Sequence, residues 1–132
     1  MKSKLLEIAL GEYGNTGKKY KDFFGIKGNW CGLFVAYCLH RVDGEFGELI
    51  FQVAREWLKW GVPVIDPKLG DIVVFWRSDP NSWKGHVGIV IKVDNDYVWT
   101  LGGNQWDGVG RHVCIKKYKR SKVLGFREAK DD

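Results

Sequence analysis

The stretch Asn29–His40, NWCGLFVAYCLH, decides how the rest of the chain is interpreted. From Cys31 onward its apolar residues cover nearly every side of a helix, and a helix without a polar face is a buried one. A glycine-containing loop leads into it, so Cys31 begins the helix whereas Cys38 lies within it. The stretch therefore predicts a central buried helix with a cysteine at its amino end.

Two further helices are predicted around the central one. The first runs from about Ser3 to Ala9, and a glycine-rich loop, Gly11 to Asn29, connects it to the central helix. Residues Glu48 to Trp60 carry apolar side chains at helical spacing, which predicts an amphipathic helix. The glycine and proline of Gly61–Pro63 end that helix.

The second half of the chain has the pattern of a sheet. Short runs of valine, isoleucine and aromatic residues alternate with turn-forming residues. We predict five strands there: Asp71–Trp76, His86–Val93, Tyr97–Leu101, Val113–Tyr118 and Lys122–Arg127. Helices followed by antiparallel strands indicate an α+β fold, with N-terminal helices packed on a five- or six-stranded antiparallel sheet. We expect residues 1–132 to form a single domain.

The composition narrows the classes of partner. The net charge of +5 favours an acidic partner, but the basic residues are spread along the chain without a nucleic-acid-binding motif, so we expect no nucleic acid. No apolar run approaches the ~20 residues of a membrane span. The first residues lack a small-residue cleavage site, so we expect no signal peptide.

The three cysteines do not suggest a disulfide scaffold. Cys31 and Cys38 on one helix are separated by a rise of ~10.5 Å, beyond the reach of a disulfide. Cys114 is then left without an obvious partner. Cys31, Cys38 and His40 also lack the paired spacing of zinc ligands, so we expect no metal and no cofactor. The count leaves room for a free, reactive thiol.

Cys31 is the candidate for that thiol. The unpaired amides and the dipole at a helix amino end favour thiolate, and the same amides can stabilise an oxyanion. The alternative is that Cys31 is only a small buried apolar residue, an interpretation that fits Cys38 well.

His86 and Asn104 are the candidate partners of Cys31. His86 begins a strand between glycines, where it can accept a proton from a thiol. The next strand runs back toward His86 and ends near Asn104, which can accept a hydrogen bond from the imidazole and fix its tautomer. A turn-forming role is the alternative for Asn104, and Gln105 is the second candidate for the orienting position.

Four segments in this order, NWCGLFVAYCLH, LGDIVVFW, KGHVGIVIKV and LGGNQWDGV, resemble the CHAP amidase/peptidase domains and the wider NlpC-like family. These are papain-like cysteine hydrolases of bacterial cell walls. The resemblance implies that Cys31 is the nucleophile, His86 the general base and Asn104 the orienting residue. It also implies that the Cys31 amide, with Asn29, stabilises the oxyanion. Gln105, the second candidate for the orienting position, is expected to support the site.

One departure from the family pattern concerns Gly102. Many CHAP domains carry an acidic residue shortly before the asparagine, and this chain has Gly102 there. The departure leaves the identity of the third catalytic residue open, but not that of the first two. Among the seven tryptophans, Trp30, Trp83 and Trp106 lie nearest the motifs, and we expect them to bind substrate.

The resemblance implies a peptidoglycan hydrolase that cleaves an amide bond in the stem peptide or in the glycan–peptide link. The alternative is a basic, tryptophan-rich module that binds the cell wall without cutting it. Relatives of the fold also include acyltransferases and deamidases. We expect a monomer that acts on the bacterial cell wall, in the periplasm or outside the cell, with an inhibitory or immunity protein as a candidate partner.

Overall fold

The computed structural model describes residues 1–42 and 49–130. The α-helices come first: α1 (Lys2–Gly11), α2 (Lys18–Phe24) and α3 (Cys31–Arg41), followed by a 3₁₀ helix, Ala54–Lys59. A short 3₁₀ segment, Arg120–Lys122, links the last two strands. The strands are β1 (Val62–Val64), β2 (Ile72–Trp76), β3 (Gly85–Val93), β4 (Tyr97–Trp106), β5 (Arg111–Lys119) and β6 (Val123–Glu128).

Across the described ranges, six strands form an antiparallel sheet in the order β1-β6-β2-β3-β4-β5. The predicted α+β fold, with N-terminal helices on a sheet of five or six strands, is confirmed. β2 and β3 lie at the centre, where Phe75 pairs with His86. The centre of the sheet therefore holds the histidine that the sequence singled out.

Apolar side chains cover both faces of this sheet. On one face, the buried run Cys31–Leu39 of α3 packs with strand residues such as Ile72 and Leu101. Successive strand residues point to opposite faces, so the next residue along β2, Val73, belongs to a second cluster on the other face. The β2–β3 pair is therefore enclosed from both sides, which makes it a rigid support for a site.

α2 and β1 lie where the sequence predicted neither a helix nor a strand. α2 forms inside the predicted loop Gly11–Asn29, because Tyr20 is fully buried and packs against the rings of Trp30 and Phe34. Tertiary packing of this kind stabilises a helix whose local signal is weak. β1 has three residues with Pro63 in the middle, which is tolerated because β1 is an edge strand paired with β6 alone.

The predicted helix Glu48 to Trp60 is wrong in type and extent. Glu48 lies outside the described residues, and the helical part is the 3₁₀ helix Ala54–Lys59. The Phe51 carbonyl accepts a hydrogen bond of 2.8 Å from the Trp57 indole. It also lies 1.9 Å from where a Cβ on Gly32 would stand. The chain around Phe51 thus packs against the start of α3 instead of continuing a helix.

Among the residues with described positions, none of the helices has the length and apolar character needed to cross a membrane.

Candidate active site

Cys31 lies at the amino end of α3, in agreement with the sequence prediction. The N-cap residue Trp30 supplies no side-chain hydrogen bond to the first helical amides. The main-chain N–H groups of Val87 and Gly32 lie close enough to the Cys31 sulfur to influence its pKa. Burial raises the pKa of the Cys31 thiol, whereas these N–H groups and the charge of Arg77 act in the opposite direction. The resting form at neutral pH is therefore the thiol.

His86, the second residue of β3, is buried with 5% of its surface exposed. Its ring lies beside those of Phe75 and Tyr118, with centroids 6.3 and 5.1 Å away. Burial lowers the pKa of His86 to about 4, although the hydrogen bond to Gln105 acts in the opposite direction. The imidazole is therefore neutral at pH 7 and available as a proton acceptor.

The side-chain amide of Gln105 fixes the tautomer of His86. The Gln105 nitrogen donates hydrogen bonds to the carbonyls of Thr100, at 3.2 Å, and Cys114, at 2.7 Å. Its oxygen Oε1 therefore faces the Nε2 atom of His86, 2.9 Å away. An oxygen can only accept a hydrogen bond, so Nε2 carries the proton and Nδ1 keeps a free lone pair. Tyr118 Oη lies 3.4 Å from the same Nε2 atom.

A bulge in β4 brings Gln105 to this position. The register with β5 shifts between Gly102, opposite Cys114, and Gln105, opposite His112. The four residues of β4 from Gly102 to Gln105 are matched by only three of β5, from Cys114 to His112, so β4 has one extra residue. Gln105 therefore points to the same face of the sheet as Gly102. A Cβ on residue 102 would lie 2.6 Å from Gln105 Oε1 and 3.3 Å from His86 Nε2. The space left by Gly102 is thus filled by the Gln105 amide.

Asn104 does not reach His86. It lies in the bulge with a φ of 58°, in the left-handed region that asparagine tolerates. Its carbonyl accepts a 3.1 Å hydrogen bond from Arg111, and within residues 1–42 and 49–130 its side chain has no hydrogen-bond partner. The expectation that Asn104 orients the imidazole is corrected here, since the alternative candidate, Gln105, makes that contact.

Cys31, at the start of α3, lies near the start of β3, where His86 is. One N–H group that influences the Cys31 thiol belongs to Val87, the residue after His86. In the part of the chain that the structure describes, no direct hydrogen bond joins the sulfur to the imidazole. Catalytic hydrogen bonds are often long without substrate and shorten in the reactive complex. The arrangement thus places the Cys31 thiol beside the residue that follows a neutral, buried base on β3.

A cleft of about 430 Å³ opens beside Cys31. Asn29 lines this cleft next to Cys31, where the sequence predicted an oxyanion contact. Trp83 also lines it, with 69% of its surface exposed. The remaining lining residues are Lys27, Gln52, Val53, Ala54, Arg77, Ser78, Lys84 and Gly85.

The other two tryptophans expected to bind substrate are not in the cleft lining. Trp30 is 4% exposed and stacks on Tyr20, because it is part of the core between α2 and α3. Trp106 is half exposed at the end of β4. Of the three tryptophans, Trp83 alone lines the described cleft, and substrate contact by Trp30, Trp83 and Trp106 stays a prediction.

Sequence reasoning missed the basic residues of the cleft and the ring beside His86. Arg77 and Lys84 flank the turn that joins β2 to β3, close before His86 in the sequence. Their closeness to His86 in the sequence could have indicated that they line the site. Tyr118 could have been found from strand alternation. It lies an even number of positions from Cys114 and Lys116 on β5, so the three side chains share one face of the sheet.

Solved structures share this fold. A crystal structure of Ly7917 is similar with a TM-score of 0.57 and 20% identity, over 96% of this chain and 61% of that chain. A crystal structure described as similar to lipoprotein, NLP/P60 family, from Staphylococcus aureus subsp. aureus Mu50 has a TM-score of 0.57 and 12% identity. The similarity covers 97% of this chain and 41% of the Staphylococcus aureus chain. This chain thus spans less than two thirds of either solved chain. No curated protein sequence matches this one.

The family is shown by a direct match of the sequence. The matched segment, residues 22–104, is more than half of the chain. It includes the amino end of α3, the β2–β3 pair and most of β4, which are the elements that position Cys31 and His86. The chain belongs to the CHAP domain family.

Proposed function

We propose that this protein is a cysteine amidohydrolase that cleaves an amide bond of peptidoglycan, in the stem peptide or in the glycan–peptide link. Membership of the CHAP family supports peptidoglycan as the substrate class. The observation that carries the cysteine mechanism is that a thiol at a helix amino end, Cys31, lies beside Val87, the residue that follows a neutral histidine of fixed tautomer, His86. The site of action in this proposal is the bacterial cell wall.

The first half of the proposed reaction forms a thioester. Nδ1 of His86 takes the proton of the Cys31 thiol as the sulfur attacks the amide carbon. The negative charge that develops on the carbonyl oxygen is stabilised by the N–H of Cys31 and by the side chain of Asn29. His86 then gives its proton to the leaving amine, and the carbon–nitrogen bond breaks.

The second half regenerates the thiol. Neutral His86 removes a proton from water, which attacks the thioester carbonyl, and the carboxylic acid product leaves as Cys31 recovers its proton. Gln105 holds the imidazole in the reactive tautomer throughout, because its oxygen accepts the hydrogen bond from Nε2–H in both halves. In this proposal Gln105, and not Asn104, is therefore the orienting residue.

Digestion of purified peptidoglycan tests the proposal. Wild type, Cys31→Ala and Cys38→Ala are incubated with the polymer, and the soluble products are weighed by mass spectrometry. Cys38 is the matched control, since it is a buried cysteine of the same helix. We expect amine-bearing fragments from wild type and Cys38→Ala, and a loss of more than roughly 1,000-fold in Cys31→Ala.

The fragment masses identify the bond and separate the alternatives. Undiminished cleavage by Cys31→Ala contradicts the proposal. If neither wild type nor the variants release fragments and all sediment with the polymer, the protein is the non-catalytic binding module. A deamidase changes the mass of the peptide without cutting it, and an acyltransferase adds the mass of an acceptor.

A further inference from the structure

The cleft beside Cys31 is lined by positive charge. Three of its side chains are cationic, Lys27, Arg77 and Lys84, and the described lining residues include no aspartate or glutamate. A concave surface with charges of one sign attracts ligands of the opposite sign. The charge of the cleft therefore points to an anionic group on the ligand.

Among the arginines with described positions, Arg77 differs from the others in that its guanidinium has no hydrogen bond or ion pair with described residues. The other arginines with described positions each have a partner: Arg41 with Glu12, Arg55 and Arg127 with two or more carbonyls, Arg111 with Asn104 and Arg120 with Asp94. For Arg77, the described part of the chain offers the guanidinium neither a hydrogen bond nor an ion pair. Its five donors are therefore available to a ligand.

The turn that carries Arg77 is held in place by Arg55. The Arg55 guanidinium donates hydrogen bonds to the carbonyls of Lys84, Pro80 and Asp79, at 2.7, 2.8 and 2.9 Å. The Arg77 N–H also bonds to the Lys84 carbonyl, which closes the turn. These bonds fix the main chain that carries Arg77, so ligand binding at this wall of the cleft does not have to order the turn.

The acidic residue on the same turn, Asp79, is hydrogen-bonded within the turn. Asp79 Oδ1 accepts a 2.7 Å hydrogen bond from the N–H of Asn81. Between Arg77 and Asp79, Ser78 has a φ of 70°, a strained conformation that the surrounding bonds hold. The carboxylate of Asp79 therefore stabilises its own turn, while Arg77 lines the cleft.

Arg77 lines the same cleft as Cys31. Burial is the largest influence on the pKa of both Cys31 and His86, and the positive charge of Arg77 lowers both values. An anion held by Arg77 would thus lie near the bond that Cys31 attacks.

We infer that the cleft binds a peptide with a free carboxylate close to the scissile amide, and that Arg77 pairs with this carboxylate. A planar guanidinium matches a carboxylate with two parallel hydrogen bonds, which a lysine cannot reproduce. Lys27 and Lys84 add attraction around this pair. The inference rests on the proposed function for its substrate, and it narrows that substrate to peptides whose carboxylates are not amidated.

A binding experiment tests the inference without the need for turnover. The probe is disaccharide-peptide released from peptidoglycan by a muramidase, either untreated or with its carboxylates converted to carboxamides. Binding is measured by calorimetry with Cys31→Ala, with Cys31→Ala/Arg77→Gln, and with Cys31→Ala/Lys119→Gln. Lys119 is exposed on β5, outside the cleft lining, so Lys119→Gln is a control for the same change of net charge.

We expect Cys31→Ala to bind the untreated probe roughly tenfold more tightly than the amidated one, because a charged hydrogen-bonded pair is lost. Arg77→Gln abolishes that difference and Lys119→Gln keeps it. Equal binding of the two probes, binding of neither, or a difference that survives Arg77→Gln would overturn the inference. Because wild-type digestion is scored separately, a failure of hydrolysis with retained discrimination contradicts the proposed function alone.

Discussion

Two histidines on the strands that flank β4 have partners of opposite character. His86 is buried on β3 and its Nε2 lies 2.9 Å from the neutral amide of Gln105. His112 on β5 is paired in register with Gln105, but its Nδ1 lies 2.7 Å from the carboxylate of Asp107, and its side chain is 24% exposed. The first pair is enclosed and uncharged, whereas the second is at the surface and contains a charge.

The difference matters for proton transfer. Main-chain N–H groups of Gly110 and Val109, with a contribution from His112, lower the pKa of Asp107 to about 2, so the surface pair retains its negative charge. A carboxylate beside a histidine favours the imidazolium form. Gln105 offers the same hydrogen bond to His86 without that charge, and burial then keeps the ring neutral. A neutral amide thus suits a base that must be unprotonated before the reaction begins.

The largest expected effect comes from removing the neutral partner. Gln105→Ala leaves the Nε2–H of His86 without its acceptor and frees the ring to change tautomer, so we expect kcat/KM on peptidoglycan fragments to fall on the order of 100- to 1,000-fold. Asn104→Gly is the matched control, because glycine accepts the positive φ of residue 104 and we expect nearly full activity. The opposite ranking of these two variants would return Asn104 to the orienting role.

A second substitution makes His86 resemble His112. Gln105→Glu places a carboxylate beside His86, which raises the pKa of the imidazole from about 4 by about 1 to 2 pH units. The base is active when unprotonated, so wild-type activity falls as the pH drops through about 4, and the variant loses activity at a correspondingly higher pH. The measurement is the pH profile of kcat/KM, with Asp107→Asn as the control that changes only the exposed pair. If kcat/KM falls at the same acidic pH in Gln105→Glu and in wild type, the titration of His86 is not the cause of that fall.

Local patterns were sufficient to locate Cys31 and His86. The buried helix is visible in the apolar run after Cys31, and the strand that begins near His86 is visible in its alternation. Both residues lie at the start of a regular element, where the sequence signal is strong. The prediction of an α+β fold depended on the same signals.

The contacts that depend on irregular backbone could not be predicted in the same way. Asn104 and Gln105 are neighbours, and a single extra residue in β4 decides which of them faces His86. Arg77 lines the cleft because a turn held by Arg55 places it there, and that turn has no periodic pattern. The burial of Trp30 depends on α2, whose formation needs tertiary packing by Tyr20.

The smallest effect concerns the space that lets Gln105 reach His86. In Gly102→Ala the new Cβ would stand 2.6 Å from Gln105 Oε1 and 3.3 Å from His86 Nε2, so the amide must shift away from the ring. We expect kcat/KM to fall roughly tenfold, less than in Gln105→Ala, since the amide is displaced and not deleted. Gly11→Ala is the control, because a Cβ there meets no atom within 4 Å.

The readout that separates positioning from general destabilisation is the NMR signal of the His86 ring nitrogens. Displacement of the amide weakens the Nε2–H hydrogen bond, so the ring nitrogen shifts of Gly102→Ala should move toward those of Gln105→Ala, while the signals of His112 stay in place. An active Gly102→Ala with unchanged His86 shifts would mean that the amide can hold the ring from another position. In that case Gln105 would not need the space beside Gly102 to hydrogen-bond to His86.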